Sequence, residues 1–440
     1  MLRGIAWFGL YVSLVTFPLL VAALSVDRGG APSPAADLAA GAGLVAAAVI
    51  VLELALVSRV DAAAGSFGLD ALMQFHREMG VAALAFAAAH VALLVGGGAY
   101  PPAALGLGAG VPVAIRLGTL AALALALLVG SSLLRRRLRL RYEAWQVLHG
   151  LLAAAVVGLV AVHAARVGRF TAALPLRVVG ALYLVLLAGV WLRYRVARPL
   201  ALLRRPWEVV ANLPERGASR TLVLRPVGHD GFSFQPGQFA WLNVGPTPFH
   251  LEQHPVSMSS SGDVPPGGEV SFTIRDLGDW SGRVVPALGP GRRVWVDGPY
   301  GVFSPDRDEG PGYVLVGGGV GVTPLVSMLR TLADRRDRRP VLLFHAAHGE
   351  DDLTLREAID AVTPHLDLRV VTVLEDPPPD FTGEIGRLDS ALLRRHLPPR
   401  HAHMQYFVCG PPPLMDAMER ALPSLGIPAD RVHTERFDLV

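Results

Sequence analysis

Along the first 195 residues, apolar side chains run on for about 20 positions at a time with few charges among them. Six such stretches are predicted to cross a bilayer as helices, at about Ile5–Leu24, Leu38–Val57, Phe75–Val95, Val113–Leu133, Trp145–Ala165 and Leu174–Leu192. Breakers separate them, notably Gly29-Gly30-Ala31-Pro32, Gly96-Gly97-Gly98 and Tyr100-Pro101-Pro102. The first stretch ends in a weak cleavage pattern, Ala22-Ala23-Leu24-Ser25, but five further spans favour an uncleaved helix.

From about Trp207 the pattern shortens to alternating runs broken by Gly and Pro. Thr221–Leu224, Phe239–Val244, Val270–Ile274 and Arg293–Val296 read as strands of a small antiparallel barrel ending near residue 305. Beyond it, strand-like and helix-like segments alternate: Tyr313–Val316, Leu325–Leu332, Val341–Phe344, Leu353–Ala361, Leu368–Val373, Ser390–His396, Tyr406–Val408 and Leu414–Leu422. That alternation predicts a doubly wound α/β parallel sheet. The expected architecture is an all-α six-helix membrane bundle (1–200), a β-barrel domain (205–305) and an α/β parallel-sheet domain (310–440).

Composition agrees: of 440 residues 52% are hydrophobic and only 18% charged, which excludes a disordered chain. The one cysteine, Cys409, excludes an internal disulfide. All 40 basic residues are Arg, and clusters of them flank the apolar spans, a pattern that does not indicate a nucleic-acid partner. Arg135, Arg136, Arg137, Arg139 and Arg141 follow the fourth span; Arg193, Arg195, Arg198, Arg204 and Arg205 follow the sixth. The positive-inside rule then places both termini and the soluble half in the cytoplasm of a multi-pass cell-membrane protein.

The first 200 residues hold four histidines, His76 and His90 on the third span and His149 and His163 on the fifth. Each pair is 14 residues apart. That is about 1400° of helical rotation and about 21 Å of rise, so both side chains share one face. Both helices run from inside to outside in this topology, so His76 is level with His149 and His90 with His163. Two bis-imidazole metal sites suit two six-coordinate b-type haems. The competing reading is hydrogen bonding between helices or a proton path. A c-type attachment is excluded, since no Cys-x-x-Cys-His occurs. Arg77, Arg166 and Arg169 could pair with haem propionates or simply snorkel, and Glu53 in the second span has no assigned role.

The first strand of the parallel sheet runs into Gly317-Gly318-Gly319-Val320-Gly321-Val322-Thr323-Pro324. Glycines there admit a phosphate to the backbone, Thr323 fits a helix N-cap and Pro324 the first helical position. Cys409 falls at the carboxyl end of another strand, where open α/β sheets bind ligands. Further segments stand in order: Pro236-Gly237-Gln238-Phe239, His254-Pro255-Val256-Ser257-Met258-Ser259-Ser260, Thr273-Ile274-Arg275, Gly278-Asp279-Trp280-Ser281, Asp297-Gly298-Pro299-Tyr300-Gly301, Cys409-Gly410-Pro411 and Glu435-Arg436-Phe437.

With these motifs the chain from about Leu72 onward resembles the membrane ferric reductase and NADPH oxidase superfamily, whose soluble half is similar to ferredoxin–NADP reductase. The resemblance implies FAD on His254, Pro255, Val256, Ser257, Ser259, Ser260, Arg275 and Ser281. It implies NAD(P)H on Gly317, Gly318, Gly319, Gly321, Thr323 and Pro324, with Cys409, Gly410 and Pro411 near the nicotinamide–flavin contact. Phe437 would stack on the flavin and, with Cys409, serve catalysis. Electrons would pass from NAD(P)H through FAD and two haems to oxygen or a ferric chelate outside, with membrane lipid as surroundings and no accessory subunit required. His348 stands where relatives place an Arg for the NADP 2′-phosphate, leaving NADH or NADPH open. The alternative of a different class is a transporter or sensor membrane domain fused to a flavin reductase module.

Overall fold

The computed structural model describes the chain except residues 1, 26–33, 57–67, 109, 136, 141, 168–170, 251, 279, 309 and 437–440. It divides into two compact units, Met1–Ala197 and Arg198–Val440.

In the first unit, long apolar runs form α1 (Leu2–Ser25), α2 (Pro34–Leu56), α3 (Leu69–Gly96), α4 (Val113–Leu133), α5 (Tyr142–Val167) and α6 (Leu174–Leu192). Among the described residues six helices are long and apolar enough to cross a membrane. Their outward faces are apolar, with Leu24, Leu151, Leu174 and Val185 among the most exposed side chains. Water does not tolerate such a continuous surface and lipid does. Inward positions are small: Ala39, Ala46, Ala48, Ala83, Ala121 and Ala153 are buried, which lets helix backbones approach closely. α2 packs chiefly on α3, and α4 on α5.

The second unit opens with a short helix, α7 (Arg198–Leu202), and the strands β1 (Trp207–Glu215), β2 (Ser219–Pro226), β3 (Phe239–Asn243), β4 (His254–Ser257), β5 (Val270–Arg275) and β6 (Arg293–Tyr300). They pair antiparallel in the order β4-β3-β6-β1-β2-β5. The edges meet only through an isolated bridge between Met258 and Phe272, so the sheet curls into a barrel without a continuous closing ladder. Trp207, Leu222, Leu224, Leu242, Met258 and Phe272 fill its centre.

The rest is β7 (Tyr313–Gly318), α8 (Val322–Asp334), β8 (Val341–Ala347), α9 (Arg356–Val362), β9 (Leu368–Leu374), β10 (Glu384–Ile385), α10 (Ser390–His396), β11 (Gln405–Gly410), α11 (Pro412–Ser424) and β12 (Val432–Arg436). The sheet is parallel, in the order β10-β9-β8-β7-β11-β12. β7 and β11 are buried at every position, as a parallel strand covered on both faces must be. The order reverses between them, so the crevice beyond their carboxyl ends is the topological switch point. α8 ties this sheet to the barrel. Arg335 just past its end holds Asp263 through two bonds of 2.7 Å and Asp306 at 2.6 Å, and Gly262 N–H donates to Thr331 at 2.8 Å.

A fully buried imidazole sits in the sheet: His345 on β8, 2% exposed and level with Gly317, its Nε2 without a hydrogen-bond partner. Burial, helped by Arg356, pushes its imidazole down to about 4. Between about pH 6.5 and 4 the unfolded chain binds a proton there that the folded chain refuses, so stability falls as pH drops through that window. The stability advantage of wild type over His345→Asn should shrink by about 3 kcal/mol on going from pH 7 to pH 4, read from thermal unfolding at each pH. In the barrel, Phe272→Ala should cost about 3–5 kcal/mol by leaving a cavity. The same scans should show its melting temperature falling by roughly 6–20 °C. Leu277→Ala, at a position 77% exposed, should move it little.

Candidate functional site

In the membrane unit the histidines meet in the predicted pairs. The rings of His76 and His149 are 6.2 Å apart between centroids, and those of His90 and His163 are 6.3 Å apart. Every Nδ1 has a partner: His90 the carbonyl of Ala39 at 2.7 Å, His163 that of Ala114 at 2.8 Å, His76 the Glu53 carboxylate at 2.9 Å and His149 the Ser132 hydroxyl at 3.1 Å. A carbonyl only accepts, and Ser132 already donates to Leu128 O at 2.8 Å. Nδ1 of His90, His149 and His163 therefore carries the proton, which leaves the Nε2 lone pair for a metal, and Nδ1 of His76 faces Glu53 in the same way.

The donor set fits haem. A metal–imidazole bond of about 2 Å and a ring radius of about 1.1 Å on each side predict centroids about 6 Å apart across one iron. Among the described residues no group of three or more His, Cys, Asp or Glu side chains is arranged to hold a metal ion. Two imidazoles leave four positions of an octahedral iron, the number a porphyrin fills.

Two glycines make room for the rings. A Cβ on Gly43 would lie 2.9 Å from His90 Nδ1, and one on Gly118 would lie 2.7 Å from His163 Cε1. Gly43 is one helical turn beyond Ala39, and Gly118 one turn beyond Ala114. Each outer ring is thus clasped by a carbonyl and a gap on the preceding helix. The helical hairpin α2–α3 recurs as α4–α5, with carbonyl and glycine each displaced by 75 residues and each histidine by 73. Sequence reasoning missed these residues and the role of Glu53. The available signal was the small-x3-small spacing of Ala39/Gly43 and Ala114/Gly118.

In the soluble unit β4 pairs with β3 so that His254 lies opposite Leu242 and Ser257 opposite Phe239. His254 stacks on Trp280, centroids 3.9 Å apart at 22°. Pro255 and Val256 continue the strand, opposite Trp241 and Ala240. Ser257 is buried and its hydroxyl has no hydrogen-bond partner, an unmet polar group that a ligand oxygen or nitrogen would satisfy. The neighbouring hydroxyls are engaged within the protein. Ser259 accepts from Thr273 at 3.1 Å, Ser260 from the Ser271 N–H at 3.1 Å and Ser281 from the Leu277 N–H at 2.8 Å.

The glycine run forms a tight turn at the switch point. Gly319 has φ +52°, and a Cβ there would lie 3.1 Å from Arg275 Nη1, so the barrel's Arg275 lies against the phosphate-type loop. Gly321 has no room for a side chain, since its Cβ would be 2.5 Å from the Cys409 carbonyl. Gly317 is level with buried Cys409, and Gly318 packs on Pro411 and Leu414 beside Gly410. α8 starts at Val322 with Gly321 as its N-cap, which corrects the placement of Thr323 as cap and Pro324 as first helical residue. A 3₁₀ turn over Gly319–Gly321 feeds straight into the helix, so no side-chain cap forms. The buried Thr323 hydroxyl has no partner, and Pro324 stays in the first turn, where no helical N–H bond is lost. His348 is exposed, 3.8 Å from Glu375. Phe437, Arg169 and Asp279 lie outside the described residues.

Residues 42–160 match the model of the ferric reductase like transmembrane component, and residues 315–420 that of the oxidoreductase NAD-binding domain. The reductase component of propane 2-monooxygenase from Rhodococcus jostii is 30% identical over 225 residues, 49% of this chain and 59% of that protein. A flavohemoprotein from Deinococcus radiodurans is 32% identical over 244 residues, 53% of this chain and 59% of that protein. The chain thus spans about three fifths of the length of these curated relatives. The solved flavohem-like FAD/NAD binding domain of a nitric oxide dioxygenase from Vibrio cholerae is 24% identical with a TM-score of 0.47, covering 53% of this chain and 98% of that one. The chain joins a ferric reductase-like membrane component to an NAD-binding oxidoreductase domain, the pairing found in the ferric reductase and NADPH oxidase superfamily.

Proposed function

We propose that this chain is a transmembrane oxidoreductase that carries electrons from cytosolic NAD(P)H through FAD and two b-type haems to an acceptor outside, oxygen or a ferric chelate. The observation that carries the reading is the two level imidazole pairs, each ring held by Nδ1 with Nε2 left over. When bound, the flavin exchanges electron pairs with a nicotinamide and single electrons with haem iron. His76 and His149 would hold the inner haem, and His90 and His163 the outer one. In the soluble unit Ser257 offers its unmet hydroxyl to the flavin, while Arg275 brings positive charge beside Gly319. The N–H groups opening α8, with Thr323, receive the nucleotide phosphates at the positive end of the helix dipole. Cys409 lies at the floor of the same crevice, beneath Gly321.

Anaerobic addition of NADH or NADPH to the detergent-purified protein should reduce a b-type spectrum, and oxygen or ferric citrate should reverse it. His90→Leu should lose about half the haem. Gly118→Leu should do the same without touching a ligand, by driving a side chain into the space of His163. A wild-type protein with one haem or none overturns the reading. In proteoliposomes, an impermeant external ferric chelate should be reduced only when nucleotide is supplied on the side of the soluble half.

A further inference from the structure

Glu53 is a carboxylate on a membrane helix, 4% exposed, where an unpaired charge is costly enough that an ionisable residue marks function. Both of its oxygens are occupied. Oε2 lies 2.9 Å from His76 Nδ1, and Oε1 accepts from the Tyr11 hydroxyl at 2.7 Å. Tyr11 is itself placed by an edge-on contact with Phe75, centroids 4.9 Å apart. The other three imidazoles have neutral partners: the carbonyls of Ala39 and Ala114 and the hydroxyl of Ser132. The clasp repeated at the outer level is therefore broken at the inner one, where a single ring is backed by a carboxyl side chain.

Resting on the two-haem reading above, we infer that Glu53 is a positioning residue that lowers the reduction potential of the inner haem below that of the outer one. The oxidised iron carries one more positive charge than the reduced iron. A carboxylate hydrogen-bonded behind one ligand ring would stabilise the oxidised form by Coulomb attraction in a low-dielectric interior. Pulling on the Nδ1 proton makes the same ring a more basic ligand, with the same sign. Tyr11 acts oppositely, because its hydrogen bond draws charge away from His76. The slope so created runs from the inner haem to the outer, the direction in which electrons must leave.

The test is spectroelectrochemical titration of the full-length, haem-loaded protein, with low-spin EPR of the same samples. Wild type should give two one-electron waves, and His90→Leu should keep the lower one. Glu53→Gln should shift the lower wave upward by tenfold or more in the one-electron equilibrium, about 59 mV, and leave the upper wave in place. Tyr11→Phe should move the lower wave downward, and only one of the two EPR signals should change in either variant. An unmoved lower wave in Glu53→Gln, or a moving upper wave, overturns the proposal. Should Glu53→Gln fail to retain its inner haem, Tyr11→Phe decides: a downward shift supports the proposal and no shift overturns it. Failure of the two-haem reading is seen separately, as one haem or none in the optical spectrum of wild type.

Discussion

A ring nitrogen that carries a proton cannot be left without a partner inside hydrocarbon, and this requirement organises the membrane half. Each of the four imidazoles turns Nδ1 away from its facing ring and onto the preceding helix. That bond fixes the tautomer, the ring orientation and the spacing of α2 against α3 and of α4 against α5. The small residues on those helices follow from it, since an imidazole reaches a backbone carbonyl only where no side chain intervenes.

The soluble half answers a different constraint, the approach of backbone to backbone at the switch point. Gly321 lies against the Cys409 carbonyl and Gly318 against Pro411, so the two turns that end β7 and β11 form one wall. Arg275 reaches this wall from the barrel, and Arg335 locks the barrel to α8 by holding two aspartates at once. Two small domains with separate cores thereby present a single crevice.

The spans, the two kinds of sheet and the histidine pairing were legible because each rests on a period: 20-residue apolar runs, alternation of strand and helix, and 14 residues for four helical turns. What was not legible depends on partners far along the chain. Glu53 meets His76 across 23 residues and Tyr11 across 42, and neither spacing has a local signature. Gly118 and Gly43 read as ordinary small residues until the rings they admit are seen. Thr323 resembled a cap by its residue type, but the 3₁₀ turn moved the helix start forward and freed its hydroxyl. The hydroxyls of Ser259, Ser260 and Ser281 turn out to be bonded within the barrel, a distinction residue type alone does not make.

Because α3 and α5 pack chiefly on α2 and α4, the two hairpins touch each other sparingly along the line where their imidazoles face. Each ring is held from behind by its own hairpin. The membrane half is therefore weakest along that facing line, and its first loosening is expected as a parting of the two hairpins rather than as the unwinding of any helix.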